Sequence, residues 1–364
     1  MPPAIATDLP LFDLRVEPDD LAAVEAVYRS GLLTAGPQVG AFEAEFAARL
    51  GARHAVAVSS ATAALELAYL AAGVRPGDEV VVPSYTFAAT ASAAVHCGAA
   101  PVFADVVGTH DLSVDPEHVA ALIGPRTRAV AIVHFAGYPA PVEALAALCA
   151  GRGVALVEDA AHAPAASVGE RRLGTFGLAA AFSFFSNKVL PCGEGGALVT
   201  DDDRVAALAR ERRGPDDLDC RMDEPRAALL RSRLARLDAD IAARRALVRR
   251  YRARLAPLAD VLLPYRDEDV ERSSCYVMPI LLAADDAARR REVRRVLREE
   301  HRIQTSLLYP AVHEFSAYRE RFPSGALPRA ERAARSEITL PLFPHMTDAD
   351  VDRVVDALAD ALAR

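Results

Sequence analysis

The chain has no tryptophan, one asparagine and one lysine, so all but one of its 42 basic Lys+Arg side chains are arginine. The exception is Lys188. Arginine serves wherever only a positive charge or a solvated tail is needed, but its guanidinium does not deprotonate and cannot attack a carbonyl as a neutral amine. A single retained lysine points to chemistry reserved for that side chain, Schiff-base formation with an aldehyde, above all with pyridoxal phosphate (PLP). Other absences exclude whole classes of protein. The five cysteines (Cys97, Cys149, Cys192, Cys220 and Cys275) are odd in number, widely spaced and without a C-x-x-C, which argues against a disulfide framework or a zinc site and for reduced, cytoplasmic thiols. No metal ligand set is expected. No apolar run is long enough to cross a bilayer, and Met1-Pro2-Pro3-Ala4 lacks the charged and apolar regions of a leader. The net charge is −8, and the runs Arg249-Arg250 and Arg289-Arg290-Arg291 lie among acids on expected helices, so no nucleic-acid partner is expected.

With 364 residues, 52% of them hydrophobic, the chain can bury a large core, and two domains are expected, residues 1–256 and 257–364. From residue 54 short apolar runs alternate with alanine- and leucine-rich helical patterns. Strands are expected at 54–59, 79–83, 100–104, 128–134 and 154–158, with helices near 62–73, 87–97, 116–123 and 141–151. That alternation predicts an α/β fold with a mostly parallel sheet covered on both faces. Two more strands, at 180–184 and 196–200, follow without a full helix between them and make the sheet mixed. A long helical stretch from Asp223 to about Leu255 closes this part, with Pro225 in its first turn. Beyond Pro257 a strand at 275–282, a charged helix at 285–301, an extended 303–309 and a terminal helix from Thr347 read as a smaller α+β domain. Before residue 50 the pattern gives an amphipathic helix at 18–30 and then the loop Gly31–Pro37.

Ligands of open α/β sheets bind at the carboxyl ends of the strands, and three polar features fall there. Ser59-Ser60-Ala61-Thr62 precedes a helix, as either an ordinary N-cap or a phosphate cradle of small residues and free N–H groups. Glu158-Asp159-Ala160-Ala161-His162 follows a buried strand. Asp159 fits the one carboxylate that PLP needs against its ring nitrogen, and His162 could bond the ring hydroxyl, orient Asp159 or be a satisfied core histidine. Ser183 and Lys188 bracket a loop that could bring a hydroxyl to the phosphate and an amine to the aldehyde of one cofactor. Gly193-Glu194-Gly195-Gly196 supplies a tight return in which Glu194 binds substrate or caps the turn.

These residues, with Leu33-Thr34-Ala35-Gly36-Pro37, Pro76-Gly77-Asp78-Glu79-Val80, Val82-Pro83-Ser84-Tyr85-Thr86-Phe87, Arg221-Met222-Asp223-Glu224 and Tyr309-Pro310 with His313 and Tyr318, carry a resemblance over nearly the whole chain. The sequence resembles the DegT/DnrJ/EryC1/StrS aminotransferases, PLP enzymes of fold type I (aspartate-aminotransferase-like) that mostly aminate nucleotide-linked keto-sugars in sugar and antibiotic biosynthesis. The resemblance implies that Lys188 forms the Schiff base, Asp159 pairs with the pyridine nitrogen and His162 contacts the ring hydroxyl. It implies that Ser60, Ala61, Thr62 and Ser183 hold the phosphate and that Phe87 stacks on the cofactor. Thr34, Glu194, Arg221, Tyr309 and His313 are the substrate candidates, and a homodimer with a shared active site is implied. The segment Tyr318–Pro323 is similar to the branch acting on UDP-4-keto-arabinose. The chain departs from the family at 214–220, a shortened loop in which Asp219 stands where the family has an asparagine that reaches the partner's cofactor phosphate. That departure brings in a smaller acceptor, such as a cyclitol or another keto intermediate.

The expected activity is a ping-pong transamination from L-glutamate, with Lys188 as carbonyl anchor and proton carrier. A PLP-dependent sugar dehydratase is the first rival, in which the resemblance would place a histidine at position 188. A non-catalytic protein of the same fold is the second, in which Lys188 or Asp159 would be lost.

Overall fold

Seven short strands, rich in Val and Ala, form one sheet: β1 (His54–Val58), β2 (Glu79–Pro83), β3 (Ala100–Ala104), β4 (Thr127–Val133), β5 (Ala155–Asp159), β6 (Ala179–Ser183) and β7 (Gly196–Thr200), in the order β1-β7-β6-β5-β4-β2-β3. The computed structural model describes residues 9–364, and Met1–Ala4, read above for a leader, lies outside the described residues. The run β6-β5-β4-β2-β3 is parallel, while β7 is antiparallel to both of its neighbours. This is the mixed, mostly parallel α/β sheet that the strand–helix alternation predicts. Its register places chemistry along one edge: Asp159 pairs opposite Ala181 and Val133, and Gly196 lies opposite both Ser183 and Val58.

The amphipathic helix α1 (Pro18–Ser30) is followed by α2 (Pro37–Leu50), which the sequence reading took only as the end of a loop. Its apolar side carries Phe42 and Phe46, which meet Phe182 and Phe184 at centroid distances of 5.1–5.4 Å and near-perpendicular angles. Edge-to-face packing of this kind favours one arrangement of the rings. Through it α2 fixes the end of β6 from which the Lys188 loop departs. Helices α3 (Ala61–Ala71) and α4 (Ala89–His96) follow β1 and β2.

The single helix expected from Asp223 to Leu255 is two, Glu224–Leu234 and Leu237–Leu255. Arg236 leaves helical geometry (φ −106°, ψ 2°), and its guanidinium reaches the buried Asp20 at 2.7 and 2.8 Å. Arg233 and Ser232 bond the same carboxylate at 3.1 and 2.8 Å. Burial opposes the charge on Asp20, but the hydrogen bonds from Arg236 and Ser232 and the nearby Arg233 hold its carboxyl at about 2. A buried ion cluster, not helix propensity, decides the break. Arg233 also donates to the Pro191 carbonyl at 2.7 Å, tying this cluster to the loop after Lys188.

A second sheet, β8 (Val261–Leu262), β9 (Met278–Leu282) and β10 (Glu337–Leu340), is antiparallel in that order. The boundary expected after residue 256 falls between the end of the Leu237–Leu255 helix and β8. Among the described residues no helix is long and apolar enough to cross a membrane.

Candidate active site

Successive strand residues face opposite sides of a sheet, so Glu158 and Asp159 at the end of β5 have separate tasks. Glu158, fully buried, accepts from His134 at 3.0 Å and from the N–H groups of Gly174, Phe176 and Gly177 at 2.7–2.8 Å. It fixes the 174–177 loop. Asp159 turns into a cleft of about 440 Å³ lined also by Ser60, Ala61, Thr62, Thr86, Phe87, His162, Ser183, Lys188, Glu194 and Tyr309.

Asp159 Oδ2 accepts from the Thr90 hydroxyl at 2.7 Å, and Oδ1 accepts from the Ala161 N–H at 3.2 Å. Burial raises its pKa, against the lowering effect of these hydrogen bonds and of Lys188. Lys188 moves the other way. Burial pushes its amine down to about 7, partly opposed by the Asp159 carboxylate. Such an amine is substantially neutral at physiological pH, the state that attacks carbonyls.

His162 stacks on Tyr276 (centroids 4.3 Å apart, 23° between planes), and its Nε2 lies 3.3 Å from the Tyr309 hydroxyl. Its Nδ1 is buried without a partner. Burial, with Lys188 close by, holds the ring pKa well below the ordinary histidine value, so His162 is neutral. Burial lifts the Tyr309 phenol well above its usual value, so it too is neutral and can donate.

At the opposite end of the cleft Ser60 caps α3, its Oγ accepting from the Ala63 N–H at 3.2 Å. The first-turn N–H groups of Ala61 and Thr62 have no partner within the helix and favour an anion. A Cβ on Gly196 would lie 2.4 Å from the Ser60 carbonyl carbon and 2.5 Å from the Ala61 nitrogen, so β7 can pass this turn only with glycine there. Of the two sequence alternatives the cap is formed, and the same turn leaves the N–H groups of Ala61 and Thr62 facing the cleft. Ser183 Oγ accepts from the Phe185 N–H at 3.4 Å, and Phe87, 58% exposed, stands 5.5 Å from the Tyr309 ring.

The substrate candidates divide. Glu194 and Tyr309 line the cleft, whereas Thr34 and Arg221 line a separate hollow of about 410 Å³ with Glu43 and Arg213. Arg221 is held there by Asp219 through two bonds at 2.8 and 3.1 Å. His313 is buried away from the cleft, its Nδ1 2.6 Å from Ser84 Oγ and its Nε2 3.4 Å from Glu331. Sequence reasoning missed Thr90 and Tyr276. Thr90 follows Phe87 by one helical turn, a local signal that was readable, but Tyr276 comes from 88 positions beyond Lys188 and carries no local mark.

These residues fit PLP. An amine and a dry carboxylate share one cleft, an orphaned His162 Nδ1 awaits a partner, and a helix start is kept bare by Gly196. Together the fold and the site define a PLP-dependent enzyme. The model of the DegT/DnrJ/EryC1/StrS aminotransferase family matches residues 15–359, and the chain belongs to that family of PLP-dependent transaminases. It is 39% identical over 361 residues to a dTDP-3-amino-3,4,6-trideoxy-alpha-D-glucose transaminase of Streptomyces venezuelae, covering 96% of this chain and 93% of the relative. The crystal structure of the aminotransferase TlmJ from Streptoalloteichus hindustanus superposes with a TM-score of 0.91 at 35% identity, over 98% of this chain and 99% of TlmJ. NtdA of Bacillus subtilis, solved with the bound cofactor PMP, gives a TM-score of 0.86 at 26% identity, over 95% of this chain and 82% of NtdA.

Proposed function

We propose that this aminotransferase moves an amino group from L-glutamate to a keto-sugar, nucleotide-linked, in a ping-pong course. The convergence of Lys188 and Asp159 in one cleft carries the reading. The two halves are mirror images: water replaces glutamate's C–N bond by the C=O of 2-oxoglutarate, and the acceptor's C=O is replaced by a C–N bond with its oxygen leaving as water. When bound, PLP supplies an aldehyde that takes the nitrogen and a ring that accepts electrons. Asp159, supported by Thr90, would face the ring nitrogen and keep it protonated. Ser183, Ser60 and the N–H groups of Ala61 and Thr62 would hold the phosphate. His162 would meet the ring hydroxyl, and Phe87 would cover one face of the ring. Lys188 Nζ would anchor the aldehyde and, once released, take the proton from the donor's α-carbon in the first half and deliver one to the acceptor's former carbonyl carbon in the second.

No arginine is among the described residues that line the cleft. Donor carboxylates and acceptor phosphates therefore need a guanidinium from elsewhere, which supports a homodimer in which a partner copy completes the site. The unpaired cysteines support a cytoplasmic setting. The 214–220 turn favours a second reading, a smaller acceptor such as a cyclitol. It folds tightly on itself, Asp219 N–H donating to the Gly214 carbonyl at 3.0 Å and Cys220 N–H to Arg213 at 3.2 Å.

The test is competition between a dTDP-linked keto-sugar and a free keto-cyclitol with L-glutamate as donor, followed by mass spectrometry. Amination of the nucleotide-linked sugar with equimolar 2-oxoglutarate supports the first reading. Consumption of the cyclitol alone supports the second, and no 2-oxoglutarate with either acceptor refutes glutamate as donor.

A further inference from the structure

Among the described residues Lys188 Nζ makes no ion pair or protein hydrogen bond, and what it meets is the ring of Tyr276, 4.5 Å from the centroid. His162 rests on the same ring at 4.3 Å. Tyr276 belongs to the strap Ser273–Tyr276 that enters β9, far along the chain from both residues.

The strap is fixed from several sides. Ser274 N–H donates to the Gly137 carbonyl and Tyr276 N–H to that of Ala136, each at 3.1 Å. The Ser274 hydroxyl donates to the His162 carbonyl. The buried Arg244 donates to the carbonyls of Tyr276 and Leu342 at 3.2 and 3.1 Å. Gly137 is required opposite, because its φ is +89° and a Cβ there would lie 2.1 Å from Ser274 Oγ and 2.9 Å from the His162 carbonyl oxygen. A ring held this firmly makes a fixed platform. An ammonium over an aromatic face within about 6 Å is attracted by the ring quadrupole, most strongly where water is excluded.

We propose that Tyr276 is the positioning residue of the reactive amine: its ring face seats Lys188 Nζ and aligns His162 beside it, so a strap 88 positions further along the chain sets the geometry of the lysine. The inference rests on Lys188 being the reactive amine. The ring, not the phenol hydroxyl, does the positioning, since Nζ lies over the ring face, 4.5 Å from its centroid. When the amine is protonated the ring face stabilises it, so removing the ring while keeping the site dry favours the neutral amine.

Because Lys188 is the only lysine, growth on ¹³C-lysine gives the full-length protein a single lysine side-chain signal, readable before any cofactor is added. In the wild type the ε-protons resonate upfield of the random-coil position because of the ring current. Tyr276→Phe preserves both that shift and the titration midpoint. Tyr276→Leu abolishes the shift and lowers the midpoint by about one unit. A Tyr276→Leu protein that titrates like the wild type overturns the proposal, as does a Tyr276→Phe protein that behaves like Tyr276→Leu. Wild-type ε-protons at the random-coil position also overturn it, and that reading needs no variant to fold. An upfield shift in a protein whose Lys188 does not react with PLP would sink the functional reading and leave only the seating of Nζ on the Tyr276 ring.

Discussion

Thr90 donates its hydroxyl proton to Asp159 Oδ2 across 2.7 Å, and its own oxygen lies 3.2 Å from the Thr86 hydroxyl. A hydroxyl has one proton to give, and Thr90 gives its own to Asp159, so between the two threonines Thr86 is the donor. Thr90→Val keeps the shape and removes the donor. A hydrogen bond to a charged group contributes about 1.5–3 kcal/mol, so affinity for pyridoxamine phosphate should fall roughly 10- to 100-fold. Thr90→Ser should bind nearly as the wild type does. Fluorescence titration measures both, and undiminished binding by Thr90→Val would show that Thr90 does not support the carboxylate.

The depressed amine of Lys188 makes the stability of the cofactor-free protein depend on pH in a fixed direction. The unfolded chain holds this proton up to the ordinary value of 10.5, whereas the folded chain releases it at about 7. Between those values the unfolded state binds more protons, so the Lys188 contribution to stability rises with pH. It is complete above about 10.5 and lost as pH falls through about 7. Lys188→Met should flatten the rise. Paired urea denaturations at pH 6.5 and 9 would read this as a gain of roughly 2–4 kcal/mol in wild type relative to the variant, at about 1.4 kcal/mol per unit.

Glu337 behaves in the opposite sense. It accepts the Leu308 N–H at 2.8 Å and the Thr339 hydroxyl at 2.5 Å behind the cleft wall that carries Tyr309. Burial raises its carboxyl to about 8 from 4.5, against the hydrogen bond from Thr339. Its contribution to stability is full below about 4.5 and is lost as pH rises through about 8. Glu337→Gln should remove that loss, so the thermal midpoint at pH 8.5, measured relative to that at pH 5, should be higher in the variant than in the wild type. An unchanged gap between those midpoints would place the titration elsewhere.

Gly196→Ala tests the anion cradle. The new Cβ has no room against the Ser60 and Ala61 backbone, so the turn must open or β7 must shift. The expected result is at least a tenfold loss of PLP affinity, with circular dichroism retained. Unchanged affinity would mean that this helix start does not hold the phosphate.

Much of this site is legible in the sequence because it is local. Asp159 and Ser183 end apolar runs, Lys188 is unique, and Ser60 begins a helical pattern, so each carries its mark within a few residues. Helix α2 is harder to read: Gly36-Pro37 looks like the end of a loop, although Pro37 at the first helical position, Phe42, Phe46 and Leu50 four apart and Gly51 as terminator are all there. The break at Ala235-Arg236 is not legible, because it is set by Asp20, more than 200 positions earlier. Tyr276 is hidden for the same reason: its platform exists only once Gly137 and Ser274 meet.

The central claim, that Lys188 is the reactive amine of a transaminase, is tested most directly by the absorption spectrum of the purified protein with PLP, before and after L-glutamate is added alone. The account predicts a long-wavelength cofactor band that borohydride fixes onto Lys188, that is absent from Lys188→Arg and that glutamate converts to the pyridoxamine form. No band in the wild type, or transaminase turnover by Lys188→Arg, would contradict it.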